Sequence, residues 1–521
     1  MFLSRLRRAS RGPSRPSTRR ERAELSETAR ETQLEDTRGN VSIVANAASL
    51  MVSRVAVAAM GWFGTLLIVH HLSVANWGRF SFVFGLLGLM SVVTNMANPR
   101  IVFQQLANDD GRVAGTYVLL RLTLGLFAYV VALSFVIVGH YPPVVLRATA
   151  IAGMAVVLGN SSSGYDVIFQ FRMELSKVAV ASVLGQMAQL GLTIALALLH
   201  SSLVIFTVPA VLCEVVILAW KLYSLPKHPA LHYGFMWRQW LELIKLSVPL
   251  ALGGALSVMY YSLDTVMLSK MQTFRAVAIY GISYKFAAMV LIIGDSIYTA
   301  LFPILVKYWP EEAPRFRAVI VRTMRLLLVV GALITLEFTI FAAKAIGLLY
   351  GDHYTVGANA ARLVIASECL GFFVSLAVVT LISMNRNVVY PLAALVGFVI
   401  NLGINLWVIP RWSYMGAAWA TLATEIVVLL SIWIPMTRTA GSHLVEMSVV
   451  ARVLLCSAAA VAATLGIWRI APWLVAAVVG AGVYVLATAV ARVGGRGGLR
   501  TLLILDDKEA VTSKVPKQDL G

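Results

Sequence analysis

The stretch SVMYYSLDTVMLSK sets one carboxylate, Asp264, inside a hydrophobic run that begins near Leu243. A charge at membrane depth costs on the order of 3 kcal/mol on insertion scales, so such a residue is a functional candidate by default. Three chemistries fit it: counter-ion to a base, ligand to a hard cation, or proton carrier. Lys285 occupies the next apolar run, roughly 15 Å from its far end against roughly 9 Å for Asp264, at about 1.5 Å per helical residue. The two meet if their helices face one another. Asn401 and Asn405 are four residues apart, hence on one helix face, and Thr421 lies close to the helix-breaking Gly416. Together with Asp264 they offer the carboxylate, amide and hydroxyl oxygens that a hard cation such as sodium takes. A second set is cationic. Arg54 falls roughly 17 Å into the first apolar run and Arg121 about 12 Å into the third. A guanidinium fork suits phosphate because it binds two oxygens at once. Glu368, Glu214 and Glu425 also lie near mid-depth, whereas Arg79 and Arg386 fall near membrane faces as interfacial residues. The three cysteines have no metal-ligand spacing and read as packing residues, and neither a P-loop nor an HExxH motif occurs. No catalytic residue and no firm metal site is expected.

The elements that hold these groups follow from composition. The chain has 521 residues, 59% hydrophobic and 13% charged, with a mean hydropathy of +0.80. Apolar runs recur from Val41 to Ala491 and are long enough to cross a hydrocarbon core of roughly 30 Å as helices. The expected spans are 43–70, 77–97, 113–139, 145–160, 178–199, 203–222, 242–269, 276–306, 318–349, 358–384, 388–409, 414–435, 449–469 and 472–491, fourteen in all. The fold class is therefore an all-α polytopic membrane protein. With the N-terminus inside, inner loops hold about fifteen basic residues and outer loops about six, the bias that the positive-inside rule requires. Both termini are placed inside, and the net charge of +18 is then a matter of topology, with no nucleic acid needed. Seven arginines and no acid within residues 1–20 make 1–40 a disordered cytoplasmic tail rather than a signal peptide. No outer loop exceeds about fifteen residues, which opposes an enzyme such as a membrane polymerase or ligase.

Order within the chain points to two related halves. NWGRFSFVFGLLGLMSVVTNMANP sets Pro99 twenty-one residues after Gly78, and IYGISYKFAAMVLIIGDSIYTALFP sets Pro303 twenty-two after Gly281. Glu214 follows Gly191 by twenty-three, and Glu425 follows Gly403 by twenty-two. The expected organisation is a six-helix lobe at 41–224, an interfacial linker at 225–240 carrying Trp237 and Trp240, a second six-helix lobe at 241–436, two peripheral helices at 437–492 and a cytoplasmic tail at 493–521.

NWGRFSF and the YGISYKFAAMV…ALFPIL run resemble elements of the multidrug/oligosaccharidyl-lipid/polysaccharide (MOP) exporter superfamily. The run NLGINLWVIPRWSYMGAAWAT, residues 401–421, resembles that superfamily's Asn-x-x-x-Asn…Pro…Gly-Ala-Ala signature. The likeness spans 41–436 and is greatest to the Wzx-type polysaccharide and O-antigen repeat-unit flippases; fourteen spans also match lipid II flippases. The resemblance implies lobes in a V around a cavity. It implies alternating access that moves a polyprenyl-pyrophosphate-linked saccharide from the inner to the outer leaflet of a bacterial inner membrane, in cell-envelope polysaccharide biosynthesis. Arg54, Arg121 and Lys285 would then line the cavity as substrate-binding cations. A coupling cation among helices 7, 11 and 12 becomes plausible at Asp264, Asn401, Asn405 and Thr421, with a structural polar cluster and proton coupling through Asp264 as the alternatives. Expected partners are the lipid-linked saccharide, membrane lipids, and a polymerase with glycosyltransferases. No cofactor is expected beyond a sodium or proton gradient or the membrane potential. A multidrug or cation antiporter of the same superfamily is the rival; it favours acids in the first lobe, where Arg54 and Arg121 stand.

Overall fold

The computed structural model describes residues 52–99, 102, 112–225, 233–441, 444 and 446–494. The expectations for the tails at 1–40 and beyond 494 lie outside these residues. The described chain is helical throughout its elements: α1 Val52–His71, α2 Val74–Leu89, α3 Arg112–Val138, α4 Pro143–Phe171, α5 Leu175–Leu198, α6 Val208–Tyr223, α7 Trp237–Met271, α8 Phe274–Tyr308, α9 Ala313–Tyr350 and α10 Ala358–Ser383. The 52-residue helix Val389–Ala440 is two helices joined at Ser413, whose φ of 50° and ψ of −133° break the ladder. They are α11 (389–412) and α12 (414–440). Met447–Trp468 is α13 and Trp473–Val490 is α14. Among the described residues thirteen continuous helices are long and apolar enough to cross a membrane; the break at Ser413 makes the fourteen that hydropathy predicts. The turn there is tight enough that a Cβ on Gly416 would lie 2.6 Å from the carbonyl oxygen of Val408.

Start signals are local. Ser73 accepts from the Asn76 amide at 3.4 Å ahead of α2, and Thr273 accepts from that of Ala276 at 3.3 Å ahead of α8, each satisfying a donor the helix leaves open. Proline occupies the first turn of α4, α6 and α9, where its missing N–H costs nothing. Apolar side chains such as Val138, Leu198, Leu455 and Val478 are more than 70% exposed, the surface of a protein solvated by lipid tails. This is a multi-pass membrane protein.

We call the side on which α1 begins the tail side and the other the far side. On the far side α2 crosses α8 so closely that a Cβ on Gly78 would overlap the backbone carbonyl of Phe274, while one on Gly281 would sit 3.3 Å from Ser81 Oγ. Tyr141 stacks on Phe82 with centroids 4.6 Å apart, and its hydroxyl lies 2.8 Å from Ser269 Oγ. Lys270 reaches the carbonyl of Gly139. On the tail side the Asn98 amide donates to Ser247 Oγ at 3.0 Å. Residues 237–240, the end of the expected interfacial linker, form the opening turn of α7. Trp237 is exposed, whereas Trp240 is buried with Leu243 against Ala97, Tyr117 and Val167. Helices α13 and α14 cover α9: Val449, Val453 and Tyr484 pack on Val329 and Leu336.

The packing also repeats. A Cβ on Gly159 of α4 would meet Glu214 Oε2 of α6 at 2.9 Å, and one on Gly371 of α10 would meet Glu425 Oε1 of α12 at 3.1 Å. Gly185 of α5 packs on Ile217, and Gly397 of α11 on Val428, each with a hypothetical Cβ contact of 2.5 Å.

Candidate functional site

Asp264 is fully buried in α7, and three helices converge on it. Its Oδ2 accepts from Tyr280 of α8 at 2.6 Å and from Thr421 of α12 at 2.9 Å. Its Oδ1 accepts from Asn405 Nδ2 of α11 at 2.7 Å. That same amide donates to Asn401 Oδ1 at 3.0 Å, and Asn401 donates onward to Thr424 at 3.3 Å. Four of the residues singled out from the sequence therefore form one cluster. Its charge is held by neutral donors, as a buried carboxylate requires. One oxygen stays unsatisfied: Asn405 Oδ1 is buried without a partner. Among the described residues no group of three His, Cys, Asp or Glu side chains comes together, so a cation here would rest on one carboxylate and neutral oxygens.

Lys285 does not join this cluster, and no ion pair among the described residues links it to Asp264. One residue on a helix turns about 100°. Tyr280 faces the cluster, and Tyr284, its hydroxyl 3.3 Å from that of Tyr280, stands between the cluster and a cavity of about 380 Å³ between the two halves of the bundle, into which Lys285 turns. Its ammonium lies 5.9 Å from the ring of Trp77, near the outer limit for a cation–π contact. The cavity draws Thr65 from α1, Trp77 and Phe84 from α2, Gln186 and Gln189 from α5, and Tyr261 from α7. Its volume is in the range of small-molecule sites. Aromatic faces, amides, hydroxyls and one ammonium line it.

The arginines divide. Arg54 is exposed and does not line that cavity, but seven residues before Gly61 it shares a helix face with cavity residues Gly61 and Thr65. Arg121 is buried in the first half and donates to the carbonyls of Thr94, at 2.8 Å, and Ala97, at 3.4 Å, where α2 ends. It also donates to Ser163 of α4 at 3.2 Å through Nε. It borders a second cavity, of about 470 Å³, with Asn160 and Glu214. Nearer the tail side of this half Lys221 pairs with Asp166 at 2.7 Å. Arg79 donates to Asn76 at 2.7 Å and lies 5.6 Å from the ring of Phe274, at the α2–α8 crossing. Arg386 is exposed between α10 and α11.

Sequence reasoning passed over Tyr280, Tyr261, Trp77, Gln186 and Gln189. The glutamines carried a signal, since two amides three residues apart in an otherwise apolar span have to meet something polar. The aromatics carried none, because a tyrosine facing lipid and one facing a carboxylate look alike in a hydrophobic run.

The geometry has counterparts. A family model described as polysaccharide biosynthesis protein matches residues 68–359, more than half of the chain. No curated protein matches it by sequence. Among solved structures, a lipid II flippase MurJ in an inward closed conformation superposes with a TM-score of 0.68 at 10% identity, over 85% of this chain and 98% of that one. An inward-facing multidrug resistance MATE transporter of the MOP superfamily superposes with a TM-score of 0.52 at 16% identity, over 76% and 94%. A MATE transporter from Vibrio cholerae gives 0.53 at 14% identity, over 77% and 98%. The order of helices, the superpositions and the family match converge: the chain belongs to the polysaccharide biosynthesis protein family and carries the fold of the MOP exporters.

Proposed function

We propose that this protein is a flippase that carries a polyprenyl-pyrophosphate-linked saccharide from the inner to the outer leaflet of a bacterial inner membrane, with both termini cytoplasmic. The observation that carries the reading is the cavity between the halves, whose one charged side chain among the described residues is cationic. Lys285 meets the anionic pyrophosphate. Gln186, Gln189 and the hydroxyl of Thr65 hydrogen-bond sugar hydroxyls, and Trp77 and Phe84 offer flat apolar faces to sugar rings. Separation of α2 from α8 at the far side, with closure on the tail side, turns the cavity from one leaflet to the other. An antiporter for cationic drugs is disfavoured, since Lys285 repels such a cargo. Lipid II is a substrate of the same chemical class, and substrate choice lies in the saccharide. The chemistry is movement of an intact lipid, with no bond made or broken.

The Asp264 cluster is the coupling element of this reading. Its donor set fits a sodium ion held by Asp264, Asn401, Asn405 and Thr421, with the unpartnered Asn405 Oδ1 as a ready ligand. An ion does work only if it binds the two states of the carrier with different affinity. The test is reconstitution in vesicles with fluorescent polyprenyl-pyrophosphate saccharide, scored by its accessibility to a membrane-impermeant quencher. Transport of the saccharide lipid that Lys285→Ala abolishes supports the reading. Equal transport by that variant, or transport of a cationic dye instead, removes it.

A further inference from the structure

Two carboxylates in the second half take no part in the site above. Glu368 of α10 and Glu425 of α12 are each 1% exposed. Both oxygens of Glu368 and Oε1 of Glu425 are buried without a hydrogen-bond partner. The two groups lie close enough for the charge of one to bear on the other. Glu425 rests on Gly371, one helical turn from Glu368 on the same face of α10. The other titratable groups that face the pair are neutral when protonated: the phenols of Tyr260 and Tyr261 of α7, Tyr284 of α8 and Tyr390 of α11, and the Cys369 thiol of α10. No cation among the described residues pairs with either. Two like charges with no counter-ion in a dry interior cannot both persist, and three orphaned acceptors call for a donor. Neither carboxylate lines either of the two cavities described above.

We propose that Glu368 and Glu425 form a proton-binding pair, separate from the Asp264 cluster, that exchanges its proton with the inter-lobe cavity through Tyr261. The link is drawn in the structure: Tyr261 lines the cavity and its hydroxyl donates to Glu425 Oε2 at 3.3 Å. On loading, the phenol hands its proton to Glu425 Oε2 and takes another from cavity water. The net change is one proton moved from water to the pair, with Tyr261 restored. The pair stands one turn from the cation cluster on both shared helices, Tyr261 beside Asp264 on α7 and Glu425 beside Thr421 on α12. A proton here therefore bears on the helices that hold Asp264. This extends the flippase reading by naming a proton as a second coupling ion.

The first arm of the test needs no transport. Infrared spectra of the full-length protein in vesicles at neutral pH show a protonated-carboxylic-acid band that shifts in heavy water. Glu368→Gln and Glu425→Gln each remove intensity from it, and Tyr261→Phe keeps the band but slows its exchange. A band unchanged in both glutamine variants overturns the proposal. So does a band lost when sodium chloride replaces choline chloride, which assigns the pair to a metal ion. The second arm is the ratio of saccharide-lipid flipping with an imposed pH gradient to that without one. A ratio that departs from one in the wild type and falls to one in Glu425→Gln is expected, and an unchanged ratio overturns the coupling. Absence of flipping in every protein defeats the flippase reading alone and leaves the first arm to decide.

Discussion

Glu214 and Glu425 stand at matching points of the two halves, each resting on a glycine of the helix two before its own, yet their surroundings differ. In the first half the buried cations have partners of their own. Arg121 spends its fork on the carbonyls that end α2, Lys221 pairs with Asp166, and Glu214 borders a cavity of about 470 Å³. In the second half the buried charges are carboxylates, held by neutral donors at Asp264 and largely unmatched at Glu368 and Glu425. The residue matching Glu368 in the first half is Val156, which lines the cavity there. One scaffold thus carries a half whose electrostatics are settled and a half whose charge depends on what small cation or proton it holds. The settled half serves as frame and the unsettled half as the responsive part.

This contrast is broken most severely at Arg121. Arg121→Ala leaves the Thr94 carbonyl without its arginine donor and the Ala97 carbonyl with the Tyr117 hydroxyl alone, and should cost about 3 kcal/mol or more, read as thermal unfolding in detergent. Arg121→Lys recovers part of it, since an ammonium lacks the fork. Asp264→Asn comes next, at about 2 kcal/mol, because an amide cannot accept from Tyr280, Thr421 and Asn405 together. Flipping in that variant should be slower and its sodium or proton dependence weaker; unchanged ion dependence leaves the carboxylate structural. Gly185→Ala should cost about 2 kcal/mol and Gly397→Ala about 1 kcal/mol. The first drives a Cβ to 2.9 Å from the Cys213 carbonyl oxygen, whereas the second meets side chains that can shift. Lys285→Ala loses only a distant cation–π contact, about 0.5 kcal/mol, while saccharide-lipid transport disappears. A large stability loss there would return Lys285 to a structural pair. Smallest of all is Glu425→Gln, whose amide mimics a protonated acid and should leave unfolding within about 0.5 kcal/mol.

The helix count was legible because apolar length and loop charge are one-dimensional properties. So was the company of Asn401 with Asn405, set by helical period alone, and their meeting with Asp264, which the superfamily signature implied. The pairing of Asp264 with Lys285 failed for a different reason. Depth can be counted along a helix, but rotation depends on which neighbour the helix packs against: Tyr280 faces the cluster, whereas Lys285, about 140° further round the helix, faces the cavity. The depth of Arg121 can be counted along its helix, but its partners, the carbonyls of Thr94 and Ala97 and the hydroxyl of Ser163, are announced by no residue pattern. Trp240 read as an interfacial anchor because tryptophan favours that zone; burial between α7 and the first half won instead.

The crossing of α2 and α8 bears on how such a chain drifts over generations. Every single-base change in a glycine codon that replaces the residue adds a Cβ, and at Gly78 that atom runs into the Phe274 carbonyl. At Gly281 it meets only the hydroxymethyl group of Ser81, which can turn aside. One copy of the motif is therefore frozen and the other free to wander. The kinship of the halves persists in which backbones touch long after it has faded from the letters of the sequence.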